Sequence, residues 1–262
     1  MIIDTHNHVG LAPLAQSLDT LAQKAGDAGV ILGVITAGGI EDFERARQTA
    51  QKLNWGYCVG LHPMYIRESW QADIKALYAF LETHLDDPHL VGIGEIGLDF
   101  YVEGLDRDRQ EVVFKEELQL ASQFNLPVSL HSRRALYRVL ALIKDYPTVS
   151  GVLHAFSGSP DEMKQAVRRG LYLGFGGAMT FAGSKRVRTA AQQAPIGSLV
   201  LETDAPDMPP AFSVTKKSSP LDLPRYLSEL ATLRQDDESV LSQTLFINSL
   251  GAFPKLKALL AK

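Results

Sequence analysis

Two histidines two residues apart are the first groups in this chain that could do chemistry. His6 and His8 lie in Asp4-Thr5-His6-Asn7-His8, directly after the apolar run Met1–Asp4. On an extended segment, side chains two apart point to the same side, so both imidazoles converge. Neutral imidazoles suit zinc, manganese or iron better than magnesium alone. A pair of hydrogen-bonded structural histidines would use the same spacing. Four more residues with ligand chemistry weigh toward metal: Glu95 in Ile93-Gly94-Glu95-Ile96-Gly97, His131, His154, and Asp204 in Leu201-Glu202-Thr203-Asp204-Ala205-Pro206. Each follows an apolar run. An unpaired Glu95 carboxylate would be costly among apolar neighbours, so either a metal or an arginine must relieve it. Its two oxygens could bridge two cations. Asp204 could ligate a cation and take a proton from a water, or cap the turn before Pro206. Glu202 reads as a supporting carboxylate that orients an imidazole.

Residues so far apart meet only if the fold collects them. Apolar runs at Met1–Asp4, Val30–Ala37, Tyr57–Leu61, Leu90–Ile93, Pro127–Leu130, Gly151–Leu153, Leu171–Phe175 and Leu199–Leu201 show little polar alternation, as in strands buried on both faces. Helical patterns lie between them. Glu41–Leu53 is one, and Asp108–Phe124 is the clearest, with Phe114, Leu118 and Ala121 on one side and Arg109, Glu116 and Gln123 free to face water. Ser159-Pro160-Asp161-Glu162 supplies a helix start, and Gly29 and Gly170 supply helix ends. Eight strand–helix pairs in a chain near the ~250 residues typical of the fold predict a (β/α)8 TIM barrel; an open doubly wound sheet shares the alternation. In a barrel all strand C-termini share one mouth, which is where the ligand types would gather. No internal repeat or interdomain linker appears, so one domain over 1–262 is expected, with Pro206–Pro220 a long loop after the last strand.

Composition limits the rest. The 262 residues are 45% hydrophobic and 21% charged, which excludes a largely disordered chain. The formal charge of −4 provides no global basic field, so a polyanion must be held by a local patch or a metal. The lone Cys58 excludes an intramolecular disulfide and a cysteine-rich zinc site. The N-terminus lacks a basic segment followed by a long apolar one, and no apolar stretch approaches the ~18 residues needed to span a bilayer. A soluble, cytoplasmic protein with no membrane association is expected.

These motifs, with Gly60-Leu61-His62-Pro63, Leu98-Asp99, His131-Ser132-Arg133 and His154-Ala155-Phe156-Ser157-Gly158, resemble the TatD family of metal-dependent deoxyribonucleases and related hydrolases, a branch of the amidohydrolase-like barrels. The resemblance covers nearly the whole chain. His131-Ser132-Arg133-Arg134 and the run from Glu202 to Pro209 are most similar to the YjjV-like subgroup. It implies two divalent cations, Zn²⁺, Mn²⁺ or Mg²⁺. One would be held by His6, His8, Glu95 and Asp204, the second by Glu95, His131 and His154. Other amidohydrolase-like barrels often bridge their metals with a carbamylated lysine; the strand-4 segment has no lysine, and Glu95 takes that place. Asp204 would accept the water's proton, while His62 and Arg133 would contact the scissile phosphate of DNA. Arg133 could instead form a surface salt bridge. Lys185, Arg186 and Arg188 follow the seventh strand, either as a local positive patch or as a solvated helix face. Phe100 and Tyr101 could stack on a base or cap the barrel mouth. Relatives usually carry an acid or amide at the position of Gly10, frequently a cysteine at Asn7, and in many cases an acid at Arg134. No protein partner is implied. Two other functions fit the residues: hydrolysis of a small ester, lactone, amide or phosphoester, and a non-catalytic metal-binding scaffold.

Overall fold

The computed structural model describes residues 1–11 and 17–260. The eight apolar runs become β1 (Ile2–Asn7), β2 (Val30–Ala37), β3 (Gly56–Val59), β4 (Leu90–Asp99), β5 (Val128–Arg133), β6 (Gly151–Leu153), β7 (Leu171–Phe175) and β8 (Leu199–Leu201). Each pairs in parallel with the next in sequence order. The helices α1 (Leu18–Asp27), α2 (Phe43–Leu53), α3 (Trp70–His84), α4 (Arg107–Phe124), α5 (Leu136–Leu142), α6 (Pro160–Arg168), α7 (Lys185–Gln193), α8 (Leu223–Arg234) and α9 (Glu238–Ala252) fill the connections and the C-terminus. This is the TIM-barrel arrangement, and the open sheet is set aside. The last and first strands meet at a seam stitched largely by side chains. Asp4 accepts the Thr203 amide at 2.9 Å and the Thr203 hydroxyl at 2.6 Å, and Thr5 donates its hydroxyl to the Leu201 carbonyl. Two backbone bonds, Asp204 N–H to His6 O and His8 N–H to Ala205 O, finish the ring at the mouth.

Strand ends differ from those expected, and the differences position the chemistry. β4 continues past Ile93 because Ile96, Gly97, Leu98 and Asp99 stay in register with Leu130, His131, Ser132 and Arg133. Glu95 and His131 therefore sit within the sheet rather than after it. Gly97 permits this close pairing, since a β-carbon there would overlap the His131 carbonyl. β3 stops earlier than Leu61, because the Leu61 amide donates instead to Glu117 Oε1 at 2.7 Å.

Local signals behave as their chemistry requires. Asp106 caps α4 by accepting the Arg109 amide, and the Phe114, Leu118 and Ala121 side of that helix is buried. Ser159 and Glu162 exchange the reciprocal bonds of a capping box at the start of α6. Gly29 and Gly170, at φ of 79° and 78°, turn the chain out of α1 and α6. The stretch expected as Glu41–Leu53 begins with a 3₁₀ turn, Ile40–Asp42, before α2. Among the described residues no helix is long and apolar enough to cross a membrane.

Candidate metal centre

Glu95 stands at the centre of the mouth, 3% exposed, with five imidazoles around its carboxylate. Its Oε1 lies 2.9 Å from His131 Nδ1, 2.9 Å from His154 Nε2 and 3.3 Å from His62 Nε2. Its Oε2 lies 3.3 Å from His6 Nε2 and 3.4 Å from His8 Nε2. Asp204 faces the same two histidines through Oδ1, at 3.5 and 3.2 Å. One carboxylate oxygen thus serves each side, which is the disposition a bridging ligand needs. The β1 and β8 ends supply one side, and the β5 and β6 ends the other. Three overlapping groups of ligand atoms result: His6, His8 and Asp204; His6, Glu95 and His154; and His62, Glu95 and His131.

What the outer ring nitrogens do decides whether the inner ones can ligate. His8 Nδ1 meets the Thr36 carbonyl at 2.7 Å, and a carbonyl only accepts, so the proton sits on Nδ1 and Nε2 turns a lone pair inward. His131 Nε2 lies 3.2 Å from Asp99 Oδ2, which holds the ring from behind and leaves Nδ1 as the nitrogen that faces Glu95, able to ligate once a cation displaces its proton. His6 rests its Nδ1 on Ser129 Oγ at 2.7 Å. These are the outer contacts that orient ligating histidines. His62 is different. Its Nδ1 accepts the Met64 amide at 3.2 Å, so in the neutral ring Nε2 carries the proton and presents a donor at the mouth rather than an electron pair. His154 Nε2 points at Glu95, but its Nδ1 is buried without a partner, 3.8 Å from Glu202 Oε1. Glu202 spends that oxygen on the Ala155 amide at 2.5 Å and so does not hydrogen-bond the imidazole it was expected to orient.

The electrostatics follow from this crowding. Burial alone would raise the Glu95 carboxyl, but the charges of His154, His62 and His6 and the bond from His131 outweigh it and hold Glu95 well below the usual carboxylate range. Asp204 is half-buried, and its contacts with His6 and His8 keep it ionised in the same way. Burial opposes protonation of His131, yet Asp99 and Glu95 lift it to about 9; burial and the neighbouring His6 push His154 down to about 4. A field that draws protons onto imidazoles in a buried cavity draws divalent cations by the same attraction. Imidazole nitrogens and carboxylate oxygens together are a donor set for zinc, manganese or iron, and the residues fit such ions.

A family model described as "TatD related DNase" matches residues 3–254. The chain belongs to the TatD family. The uncharacterized metal-dependent hydrolase YjjV of Escherichia coli K12 is 33% identical over 254 residues, spanning 96% of this chain and 97% of that protein. The crystal structure of that TatD homologue superposes with a TM-score of 0.91 at 31% identity, covering 97% and 98% of the two chains. The 3'-5' ssDNA/RNA exonuclease TatD of Shigella flexneri is 31% identical over 243 residues, 89% of this chain and 92% of its own. This TatD-family chain is accordingly a metal-dependent hydrolase.

The remaining residues singled out in the sequence of this TatD-family member divide by location. Arg133 ends β5, exposed, with its guanidinium 3.7 Å from the centre of the Tyr101 ring, and it forms no salt bridge among the described residues. Lys185 opens α7 and lines a cleft between α6 and α7, separate from the one that reaches His154. Of its basic neighbours, Arg186 borders the His154 cleft and pairs with Glu162, while Arg188 is tied to Glu229 and the Met179 carbonyl. Two contributors were missed in the sequence. Asp99 backs His131 with one oxygen and accepts the Tyr101 and Val102 amides with the other. Thr36 backs His8 through its carbonyl. The acid in Gly97-Leu98-Asp99, two residues from Gly97 at a strand end, was the available signal for the first; nothing marks a backbone carbonyl.

Proposed function

We propose that the protein is a deoxyribonuclease that hydrolyses DNA phosphodiester bonds. One divalent cation would be held by His6, His8, Glu95 and Asp204, and a second by Glu95, His131 and His154, with Zn²⁺, Mn²⁺ and Mg²⁺ all compatible with the donors. When bound, such ions lower the pKa of a water and neutralise charge on phosphoryl oxygens. Asp204 stays ionised and lies at the rim, so its carboxylate takes the proton of the attacking water. His62 offers Nε2–H to a phosphate oxygen from the β3 side. Arg133 offers a planar fork from the β5 side, suited to two phosphate oxygens at once. A cationic cleft of about 440 Å³ opens beside His154 and is bordered by Arg133, Arg134 and Arg186, giving a polyanion the local patch that the overall charge does not. The observation that carries the reading is that His8 Nε2 and His131 Nδ1 face different oxygens of one carboxylate, each ring held from behind by an acceptor.

Release of nucleotides from end-labelled single- and double-stranded DNA, with Mg²⁺, Mn²⁺ or Zn²⁺ and with EDTA, tests it. Metal-dependent release that disappears in Glu95→Ala and Asp204→Asn supports the assignment. Faster turnover of a panel of small esters and lactones than of any DNA would overturn the substrate, and activity persisting in both variants would overturn the site.

A further inference from the structure

Beside the mouth, Tyr101 holds two arginines at once. The guanidinium carbons of Arg133 and Arg134 lie 3.7 and 4.6 Å from its ring centre. The arrangement is built into the backbone. Asp99 pairs with Arg133 in the β4–β5 ladder, and the Phe100 amide donates to the Arg133 carbonyl. Asp99 Oδ1 then fixes the turn by accepting the Tyr101 and Val102 amides. Arg134 has φ of +54°, a conformation that a long side chain adopts only against a steric cost. Neither guanidinium has a carboxylate or hydrogen-bond partner among the described residues. Two unpaired cations held together against their mutual repulsion are prepared for an anion. They line the same cleft as His154, and β5 places Arg133 two residues, about 6.7 Å, beyond His131 on the same side of the strand.

We infer that Arg134, splinted by Tyr101, forms a second phosphate subsite that takes the phosphate next to the scissile one. This rests on the nuclease reading and sharpens it. Arg133 serves the scissile phosphate, Arg134 grips its neighbour, and the enzyme selects substrates carrying consecutive phosphates over simple diesters. The neighbour is either an internal diester or a terminal monoester.

The test compares kcat/KM on the dinucleotide TpT with that on pTpT and TpTp. An added phosphate at one end should raise kcat/KM about tenfold or more, as expected for a charge-assisted contact. The gain should fall to about unity in Arg134→Gly, which removes the guanidinium and also relieves the positive φ, so misfolding is not at issue. Arg134→Lys should keep part of the gain, and Tyr101→Ala should lose part of it. A readout independent of turnover comes from EDTA-treated protein binding fluorescent oligothymidylate. The slope of log affinity against log salt should flatten by about 0.7 in Arg134→Gly, one phosphate contact of a single strand. An unchanged slope, an equal gain in Arg134→Gly and wild type, or no gain from either phosphate overturns the subsite while leaving the nuclease intact. Hydrolysis of bis(p-nitrophenyl) phosphate without cleavage of any dinucleotide or longer DNA overturns the nuclease reading, and the subsite with it. The trinucleotide TpTpT separates the two sources: a gain over TpT that is lost in Arg134→Gly supports an internal-diester site, and a gain seen only with a phosphorylated dinucleotide supports a terminal-monoester site.

Discussion

Glu95 and Glu117 are both buried carboxyls, and they flank the same short segment from opposite sides. Glu117 Oε1 accepts the Leu61 amide at 2.7 Å, while Glu95 Oε1 faces the ring of the next residue, His62, at 3.3 Å. Their states are opposite. Burial raises the Glu117 carboxyl well above its ordinary value, with only the Leu61 bond opposing, so it is neutral in the apolar layer between barrel and α4. Glu95 has comparable burial but is ringed by imidazoles, and it stays charged. Depth does not decide whether a carboxyl is ionised; its partners do. The charged carboxyl serves a reactive mouth, and the neutral one fixes the backbone that carries His62 there.

The harshest way to break this contrast is to remove the charge at the mouth. Glu95→Gln should cut DNA hydrolysis by at least about 10³-fold, roughly 4 kcal/mol of lost transition-state stabilisation, and strip bound cations by elemental analysis. Retained metal with retained activity would show that Glu95 resembles Glu117 after all. Asp99→Asn leaves Glu95 in place but weakens the hold on His131, and metal affinity should fall about 10–100-fold. An unchanged titration curve would mean that the β5 side needs no carboxylate behind it. Glu117→Leu should leave the Leu61 amide unpaired and cost about 1–3 kcal/mol in denaturant unfolding, with cation content preserved.

The smallest effect sharpens the contrast by its sign. In metal-free protein Glu95 has a lowered folded-state pKa, so its contribution is present above its ordinary value of 4.5 and is lost as pH falls through the folded value. Glu117 has a raised one, so its favourable state exists below 4.5 and stability declines as pH rises from there toward the folded value. Glu117→Gln keeps an acceptor for Leu61 and removes the titration. Unfolding measured across that window should show a shallower downward slope with rising pH in this variant, the remainder coming from Asp4 and Glu202, whose carboxyls burial lifts to about 7 and about 8. A slope identical to wild type would assign the pH dependence to another group.

Much of the mouth was legible because ligand chemistry announces itself by residue type. His6, His8, Glu95, His131, His154 and Asp204 are recognisable at the ends of apolar runs, and parallel topology brings such ends together without further information. Glu117 was not read, although the pattern contained it: position 117 falls on the same helical side as Phe114, Leu118 and Ala121, and a charged residue there signals burial. The positive φ of Arg134 and the splitting of Lys185, Arg186 and Arg188 among three environments could not be read, since they depend on packing between elements distant in the chain. Strand ends were misjudged where side chains replace the ladder, as Glu117 does for β3.

The seam where Asp4 meets Thr203 has a bearing on how the enzyme comes into being. The chain up to His154 carries every imidazole of the centre, but not Asp204 and not the strand that shuts the ring. The centre is therefore complete only when the last strand meets the first, and a cation held there would act as a clasp on the finished circle, stabilising it by an amount set by its own affinity.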